Sequence, residues 1–362
     1  MFDMNFLETI QIFIILQCII FCVYLFTIKS GNTTSNKLLG LFLIVLGLQM
    51  ASNIFISTGH SFFYRSSISL RFLFGPLFYF YVYSTTTKDY IPKKKDLIHA
   101  LPFLLITIVL SLDVRIERFL FLIITYISLI GYLLITYLAI SDYRKVLKET
   151  RSTIYNTSLK LLQLLLYFQG AVTFLDLINN FSYRVENWPV MGVIIIEMVL
   201  LLLMVNLMVI YGLKYPDLFG GIKKEEKLLV KDQKERYASS ALSSEDLIRI
   251  KHDLSEYIDN KKPYLDPELT LTELAKSVSI SNRELSQVIN TQFHKNFSEF
   301  INSYRVEEAL RIIEENKDPK KTILEILFEV GFNSKSSFYA AFKKHTKMTP
   351  KVYWAKLKSE QE

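Results

Sequence analysis

The stretch TLTELAKSVSISNRELSQVIN, residues 270–290, contains two helix starts and one narrow apolar face. Each start is a capping box, first Thr270-x-x-Glu273 and then Ser281-x-x-Glu284, whose side chains satisfy free N–H groups in the first turn of a helix. Apolar residues follow at spacings of three and four, which places them on one side of a short helix. The stretch therefore predicts a short helix, a tight turn and a second helix.

The same pattern occurs a second time, 52 residues further along the chain. TLTEL at 270–274 recurs as TILEI at 322–326, and the turn of the second copy is one residue longer. The corresponding apolar stripes are Leu271, Leu274, Ala275 and Val278 in the first copy and Ile323, Ile326, Leu327 and Val330 in the second. Two copies predict two helix-turn-helix units in an all-α domain over residues 241–362. A helix over about 298–316 joins them, and its length of about 28 Å approaches the ~34 Å between neighbouring major-groove faces.

The second helix of each unit leaves a polar face unburied in this prediction. Arg, Gln and Asn side chains can form paired hydrogen bonds with base edges in the major groove, although an ordinary solvated face would carry the same residue types. The candidate base-reading residues are Arg283, Ser286, Gln287 and Asn290 in the first unit and Lys335, Ser336, Tyr339 and Ala340 in the second.

Basic charge is concentrated near the C-terminus. Residues 330–359 contain seven lysines and no acidic residue, whereas residues 214–362 as a whole hold 26 basic and 24 acidic side chains. A local cluster of cations suits contact with the phosphates of a nucleic acid. The candidate phosphate contacts are Lys343, Lys344, Lys347 and Lys351.

Residues from about 265 to 354 resemble the AraC/XylS-type DNA-binding domain. The matching motifs are LxxLA at 271–275, FxxFINxYR at 297–305, GFNSKSSF at 331–338, and FKK at 342–344 followed by TP at 349–350. The resemblance implies transcription regulation by two helix-turn-helix units joined by a central helix. The base contacts that it implies come from the residues named above other than Asn290. Three positions depart from the usual family pattern: Ala340 replaces a larger polar residue, Leu327 a small one, and Lys347 a glycine after a helix end.

The rest of the chain has a different composition. Hydrophobic residues make up 51% of the 362 residues, the mean hydropathy is +0.25 and the net charge is +7, which excludes a disordered, collagen-like or disulfide-rich secreted chain. Residues 1–213 hold only 27 of the 77 charged side chains, so the apolar excess belongs to them. Cys18 and Cys22 lie in an apolar run, where packing as small hydrophobes is expected rather than a disulfide or metal site.

Seven long apolar runs fill residues 1–213, and a helix needs about 20 such residues to cross a bilayer. They are residues 6–28, 38–57, 66–87, 97–112, 119–141, 161–181 and 189–213, of which the fourth is short and contains Pro102. We therefore expect a seven-helix transmembrane bundle. One set of alternate loops carries eleven Lys and Arg, and the other carries four, or five with Arg71. The positive-inside rule then places the N-terminus outside and the C-terminal domain in the cytoplasm.

Two motifs in this part, FGPLxY at 74–79 and HALPF at 99–103, resemble the multi-pass membrane modules that some Bacteroidetes-type AraC-like regulators carry. Three charged residues, Arg71, Asp176 and Glu197, lie within or at the start of the apolar runs. A charge at mid-bilayer is costly unless it is paired or hydrated. These residues either line a ligand or ion site or pair with one another and hold the bundle together.

Together these features predict a membrane-embedded one-component transcriptional regulator of the bacterial cytoplasmic (inner) membrane. Residues 1–213 form its seven-helix sensor, 214–240 a linker and 241–362 the DNA-binding domain. The expected partners are double-stranded DNA, the lipid bilayer and an unidentified signal or ligand, and both a monomer and a homodimer stay open. The rival hypothesis is a transporter-like or anchoring membrane protein with a cytoplasmic interaction tail. No metal-ligand cluster, phosphate-binding loop or catalytic triad pattern stands out, so neither a metal, a cofactor nor an enzymatic activity is expected.

Overall fold

A computed structural model describes residues 4–28, 32–56, 61–112, 114, 117–152, 156–186, 190–214, 221–222, 224–231, 242–315 and 321–361. Within these ranges the chain forms fifteen α-helices, two short 3-10 helices and no strand. An isolated antiparallel bridge joins Arg151 and Thr270. The all-α prediction is therefore confirmed for the described residues.

Seven helices come from the apolar N-terminal part. They are α1 (Met4–Thr27), α2 (Thr33–Ile56), α3 (Ser61–Thr86), α4 (Leu101–Ser111), α5 (Arg118–Thr150), α6 (Asn156–Glu186) and α7 (Met191–Lys214). A 3-10 helix, Lys94–Ala100, leads into α4.

Five of these helices contain stretches that are long and apolar enough to cross a membrane. The stretches are Phe6–Thr27, Thr33–Phe55, Phe119–Thr150, Leu159–Ser182 and Met191–Tyr211. The helices α3 and α4 are not among the five. The 11 residues of α4 span about 16 Å at 1.5 Å per residue, which is half of a ~30 Å hydrocarbon layer. The seven-span arrangement therefore stays a prediction.

Helix α3 contains Pro76, and the glycine before it allows close packing against α5. A Cβ atom at Gly75 would lie 2.6 Å from the Tyr132 ring, so a larger residue would displace that ring. Gly75 therefore contributes to the contact between α3 and α5.

The chain divides into two compact units, and the division does not follow the predicted domain boundary. The first unit comprises Met1–Asp142 and Thr157–Gly221, and the second comprises Tyr143–Asn156 and Ile222–Glu362. The last eight residues of α5 therefore belong to the C-terminal unit.

Eight helices follow in the second unit. They are α8 (Lys224–Lys231), α9 (Ser244–Lys261), α10 (Leu271–Ser277), α11 (Asn282–Gln292), α12 (Phe297–Glu315), α13 (Ile323–Glu329), α14 (Lys335–Thr346) and α15 (Pro350–Gln361). A 3-10 helix, Pro263–Leu265, lies between α9 and α10. Within the predicted linker 214–240, α8 and the buried Ile222 are structured, whereas residues 215–220, 223 and 232–240 lie outside the described residues.

Two apolar clusters form the core of this unit. The first gathers buried side chains of α9, α10, α11 and the start of α12, and the second gathers those of the rest of α12 with α13 and α14. Because α12 contributes to both clusters, it holds the two helix pairs in one body.

Candidate nucleic-acid interface

The helices α10 and α11 form the first predicted pair, and both of its capping boxes are present. The hydroxyl of Thr270 accepts a hydrogen bond from the Glu273 N–H at 3.2 Å, and the Glu273 carboxylate accepts one from the Thr270 N–H at 2.8 Å. Ser281 and Glu284 pair in the same way. Three of the four predicted stripe residues in α10 and its end are fully buried. Local sequence therefore fixes where both helices begin.

The helices α13 and α14 form the second pair and begin with the Thr322 and Glu325 box. The turn between them passes through Gly331, whose φ is +89°. A Cβ atom there would lie 2.6 Å from the carbonyl oxygen of Tyr264, so glycine is required both by conformation and by space. At the far end of α14, Lys347 takes a left-handed conformation with a φ of 62°, in a position where the family resemblance implies glycine.

A fully buried arginine on the connecting helix ties the two pairs together. The Arg305 side chain donates to the carbonyl oxygens of Tyr264 at 2.6 Å and Asp266 at 2.7 Å. Its guanidinium also lies 5.6 Å from the centre of the Phe332 ring, which is in the second cluster. Burial lowers the pKa of Arg305 to about 10, so the group is still charged at neutral pH. These contacts connect the ends of both helix pairs through one side chain.

The predicted base-reading face of α11 in the first pair is not exposed to solvent. We expected it to be unburied, and this is wrong for Ser286 and Gln287, which are 4% and 7% exposed. Arg283 and Asn290 at its two ends are half-buried. The amide of Asn290 lies 3.4 Å from the Glu149 carboxylate, at the end of α5. A partner within the same unit therefore occupies part of this face.

The predicted base-reading face of α14 in the second pair is mostly exposed to solvent. Lys335, Ser336 and Ala340 are exposed, and Tyr339 is half-buried. The Lys335 ammonium lies 5.5 Å from the centre of the Tyr339 ring, which is a cation–π distance. The two helix pairs thus differ in access although their sequences match.

All four candidate phosphate contacts, Lys343, Lys344, Lys347 and Lys351, are exposed. Lys344 is paired, because its ammonium donates to the Glu299 carboxylate on α12 at 2.6 Å. Burial alone would raise the pKa of Glu299, but hydrogen bonds from Lys344 and from the Asn296 N–H outweigh burial and lower it. An acidic residue from a distant part of the sequence therefore sits beside the lysine cluster.

Sequence reasoning missed the residues that meet these faces. Glu149 and Ser152 come from the end of α5 and the turn after it, more than a hundred residues before the helix pairs. Glu299 lies on the connecting helix, opposite α14. No local pattern marks any of the three, because each acts through a contact distant in sequence.

The three charged residues predicted within the membrane part lie close together in the first unit. Arg71 on α3 and Asp176 on α6 form an ion pair at 3.4 Å. The Asp176 carboxylate also accepts hydrogen bonds from the Tyr126 hydroxyl at 2.8 Å and the Asn180 amide at 3.0 Å. Glu197 on α7 lines the same cavity as Arg71 and Asp176. Within the described residues, no group of three or more His, Cys, Asp or Glu could hold a metal ion.

Comparison with known proteins identifies the C-terminal region. Residues 274–356 match the family model of a helix-turn-helix domain. The chain is similar to the uncharacterized HTH-type transcriptional regulator YdeC of Bacillus subtilis, with 28% identity over 86 residues that cover 24% of this chain and 28% of that protein. It is also similar to an uncharacterized HTH-type transcriptional regulator in the cgkA 5' region of Pseudoalteromonas carrageenovora, with 31% identity over 97 residues that cover 27% of this chain and 54% of that protein.

A third relative is the uncharacterized HTH-type transcriptional regulator SAS0078 of Staphylococcus aureus, with 30% identity over 100 residues that cover 28% of this chain and 13% of that protein. The chain thus spans about half or less of the length of these relatives. No solved structure matches the chain. The C-terminal region therefore carries an AraC-type helix-turn-helix domain, and its relatives are named as regulators of transcription rather than as enzymes.

Proposed function

We propose that this chain is a membrane-embedded transcriptional regulator that binds specific double-stranded DNA through two helix-turn-helix units, under the control of its seven N-terminal helices. The observation that carries the proposal is the order of its parts. Five helices able to span a bilayer precede a domain that matches helix-turn-helix regulators. Large apolar side chains such as Phe13, Ile20 and Ile127 are exposed on these helices, and a bilayer would cover them.

Loop charge supports a C-terminal domain on the cytoplasmic side of the inner membrane, where the chromosome is. In the proposal, α11 and α14 enter neighbouring major grooves and the polar residues on their faces read bases. The lysines at the end of α14 contact phosphates, which adds affinity without sequence preference. The signal acts on the membrane helices and changes how many of these contacts form.

The decisive experiment is genome-wide mapping of the DNA bound by the full-length protein in its native membrane. Operators found in this way can then be titrated with the full chain in lipid nanodiscs. We expect Arg283→Ala and Lys335→Ala each to weaken specific binding by about 1–3 kcal/mol, because each removes a side chain placed to meet base edges. Lys347→Ala should weaken binding to all sequences alike.

The matched control is Lys261→Ala, which removes an exposed lysine on α9 outside both helix pairs. If neither Arg283→Ala nor Lys335→Ala changes specific affinity, the assignment of the reading faces fails. If no DNA is enriched, and transcript profiles stay unchanged when residues 242–361 are deleted, the anchoring or transporter-like hypothesis is favoured instead.

A further inference from the structure

A cavity of about 610 Å³ lies inside the first unit, lined by side chains of α1, α2, α3, α5, α6 and α7. Its volume falls within the ~300–1,000 Å³ typical of small-molecule sites. Phe42, Phe74 and Leu129 are among its apolar lining residues, and Gln49, Gln169 and several other polar side chains complete the lining. The cavity therefore suits a molecule with an apolar body and a polar head.

The polar lining of this cavity includes amide side chains whose oxygens lack a hydrogen-bond donor among the described residues. Among the described residues, no group donates to the side-chain carbonyl oxygens of Gln49, Gln169 and Asn179, although these oxygens are buried. Gln49 and Gln169 are 6% and 7% exposed. A buried acceptor without a donor costs about 1–3 kcal/mol, so a ligand that donates hydrogen bonds to these oxygens, after the amide side chains turn towards the cavity, would be favoured.

The charged side chains of the lining also favour a ligand that donates hydrogen bonds. Arg71 is the one cation among the described lining residues, and it is paired with Asp176, which also accepts hydrogen bonds from Tyr126 and Asn180. The carboxyl group of Glu197 also lines the cavity. Among the described residues, no hydrogen bond like those of Asp176 is seen at Glu197. Within the described lining, the Glu197 carboxyl group and the three carbonyl oxygens are thus among the polar groups that can interact with a ligand.

We infer that this cavity binds an amphiphilic primary amine in its protonated form. An ammonium group carries three N–H donors and a positive charge, which suits the Glu197 carboxyl group and the acceptor oxygens of the amide side chains around the cavity. A bound ammonium would also favour the ionised form of Glu197. A quaternary ammonium has the charge without the donors, an alcohol has one donor without the charge, and a carboxylate has the wrong charge. The inference rests on the proposed function only in treating the N-terminal helices as the sensor.

Binding can be measured with the full chain in phosphatidylcholine nanodiscs, by equilibrium dialysis against n-octylamine, n-octyltrimethylammonium, n-octanol and octanoate. Empty nanodiscs correct for partition into lipid. We expect saturable binding of n-octylamine at least tenfold tighter than that of the other three probes. Glu197→Gln and Gln169→Leu should each weaken it about tenfold. Gln17→Leu is the matched control, because the Gln17 side-chain oxygen is also unpaired among the described residues but does not line this cavity.

Equal binding of all four probes overturns the inference, and so does n-octylamine binding that is the same in Glu197→Gln and the wild type. Absence of saturable binding by the folded wild-type chain overturns it as well. The assay contains no DNA, so its failure leaves the test of DNA binding unaffected, and the two results can be told apart.

A second inference rests on a different observation, in the C-terminal unit. The α5 terminal segment, residues 143–152, is integrated into the unit that carries the helix pairs. Its Val146, Leu147, Thr150 and Ser152 are buried. The Ser152 N–H donates to the Leu269 carbonyl oxygen at 3.1 Å, next to the Arg151 bridge to Thr270.

Ser152 also lies at the centre of a polar network. Its hydroxyl accepts a hydrogen bond from the buried Arg305 at 3.1 Å and donates to the Pro267 carbonyl oxygen at 3.3 Å. The Ser152 carbonyl oxygen lies 3.4 Å from the Ser298 hydroxyl on α12. One turn earlier, Glu149 contacts Asn290 on the reading face of α11. The segment therefore holds the first helix pair from its capped end and meets its reading face.

The geometry points to the α5 terminal segment as an autoinhibitory element of the first helix-turn-helix unit. DNA and the segment compete for α11, so α11 enters the groove only after the segment has moved away. The segment is the C-terminal end of α5, a helix that runs from Arg118 to Thr150. This inference depends on the proposed DNA binding.

Hydrogen exchange of the full wild-type chain, with and without operator DNA, tests this inference. DNA should protect α11 and α14 and should deprotect residues 143–152 by tenfold or more. As a variant, Ser152→Pro removes both the N–H donor and the hydroxyl and should tighten DNA binding about tenfold. Arg144→Ala, on the exposed side of the same helix, is the matched control and should leave affinity unchanged.

If DNA protects α14 while residues 143–152 stay protected, autoinhibition is overturned and the proposed function survives. If DNA protects neither α11 nor α14, the proposed function itself fails. The exchange experiment uses the wild-type chain, so its result stands even where Ser152→Pro impairs folding.

Discussion

Replacing Arg305 by methionine tests whether one buried side chain holds the two helix pairs together. Methionine keeps most of the apolar stem but has no donor. The guanidinium donates to the Tyr264 and Asp266 carbonyl oxygens and to the Ser152 hydroxyl, at 2.6, 2.7 and 3.1 Å. Arg305 itself has no exposed surface, so water cannot replace these bonds without opening the unit.

The expected loss follows from the two carbonyl oxygens. Each buried acceptor left without a donor costs about 1–3 kcal/mol, so Arg305→Met should destabilise the unit by about 4 kcal/mol. Arg305→Lys keeps a charge and a long stem but loses the planar fork that reaches both oxygens, and it should cost about half as much. Arg311→Met is the matched control on the same helix, because Arg311 is exposed and pairs with its neighbours Glu308 and Glu315.

Hydrogen exchange of α12 in the full chain measures this loss, because its slowest amides report the free energy of opening the unit. A change of about 4 kcal/mol accelerates exchange about a thousandfold, since ~1.4 kcal/mol is tenfold. Arg311→Met should leave the same amides nearly unchanged. An acceleration below about tenfold in Arg305→Met would refute the reasoning, because it would mean that other groups satisfy the two carbonyl oxygens.

Three further predictions concern the turn, the lysine cluster and the first cap. Gly331→Ala should lower thermal stability by at least ~1–2 kcal/mol, because a φ of +89° and a Cβ 2.6 Å from a carbonyl oxygen both oppose a side chain. Glu299→Gln should release Lys344 and strengthen DNA binding severalfold in low salt. The wild type should approach this variant as pH falls through the lowered pKa of Glu299, where the carboxylate and its ion pair are lost. Thr270→Ala should cost about 1 kcal/mol, measured as faster exchange in the first turn of α10. An unchanged melting temperature would contradict the first prediction, an unchanged DNA affinity the second, and unchanged hydrogen exchange the third.

The sequence was sufficient for features that depend on neighbouring residues. Capping boxes, apolar stripes and the turn at Gly331 all lie where their spacing predicted, since each is decided within about four residues. The helices of the N-terminal part are predicted in a similar way, from the length of each apolar run. The fourth run is short in the sequence, and its helix α4 is indeed short, with Pro102 in the first turn.

Features that depend on distant contacts could not be read from the sequence. The two reading faces have similar sequence patterns, yet Gln287 is buried and Ser336 is exposed. The end of α5 belongs to the unit of the helix pairs, and its Glu149 contacts Asn290 on the first face. The lysine cluster has no acid within residues 330–359, but Glu299 reaches it across α12. The sequence singles out Arg71, Asp176 and Glu197 individually, because a charged side chain in an apolar run is energetically costly in lipid. It does not predict that they line one cavity, because that depends on how six helices pack.

The difference in access between the two helix pairs has a consequence for counterions. Contacts made by the open pair alone would displace ions from the phosphates nearest Lys343, Lys344, Lys347 and Lys351, which corresponds to a slope of about −3 to −4 in log affinity against log salt. Engagement of the second groove would release further ions and steepen that slope. The number of ions released on binding would therefore rise when the inducing signal is present, so salt titration alone would report which of the two states the protein occupies.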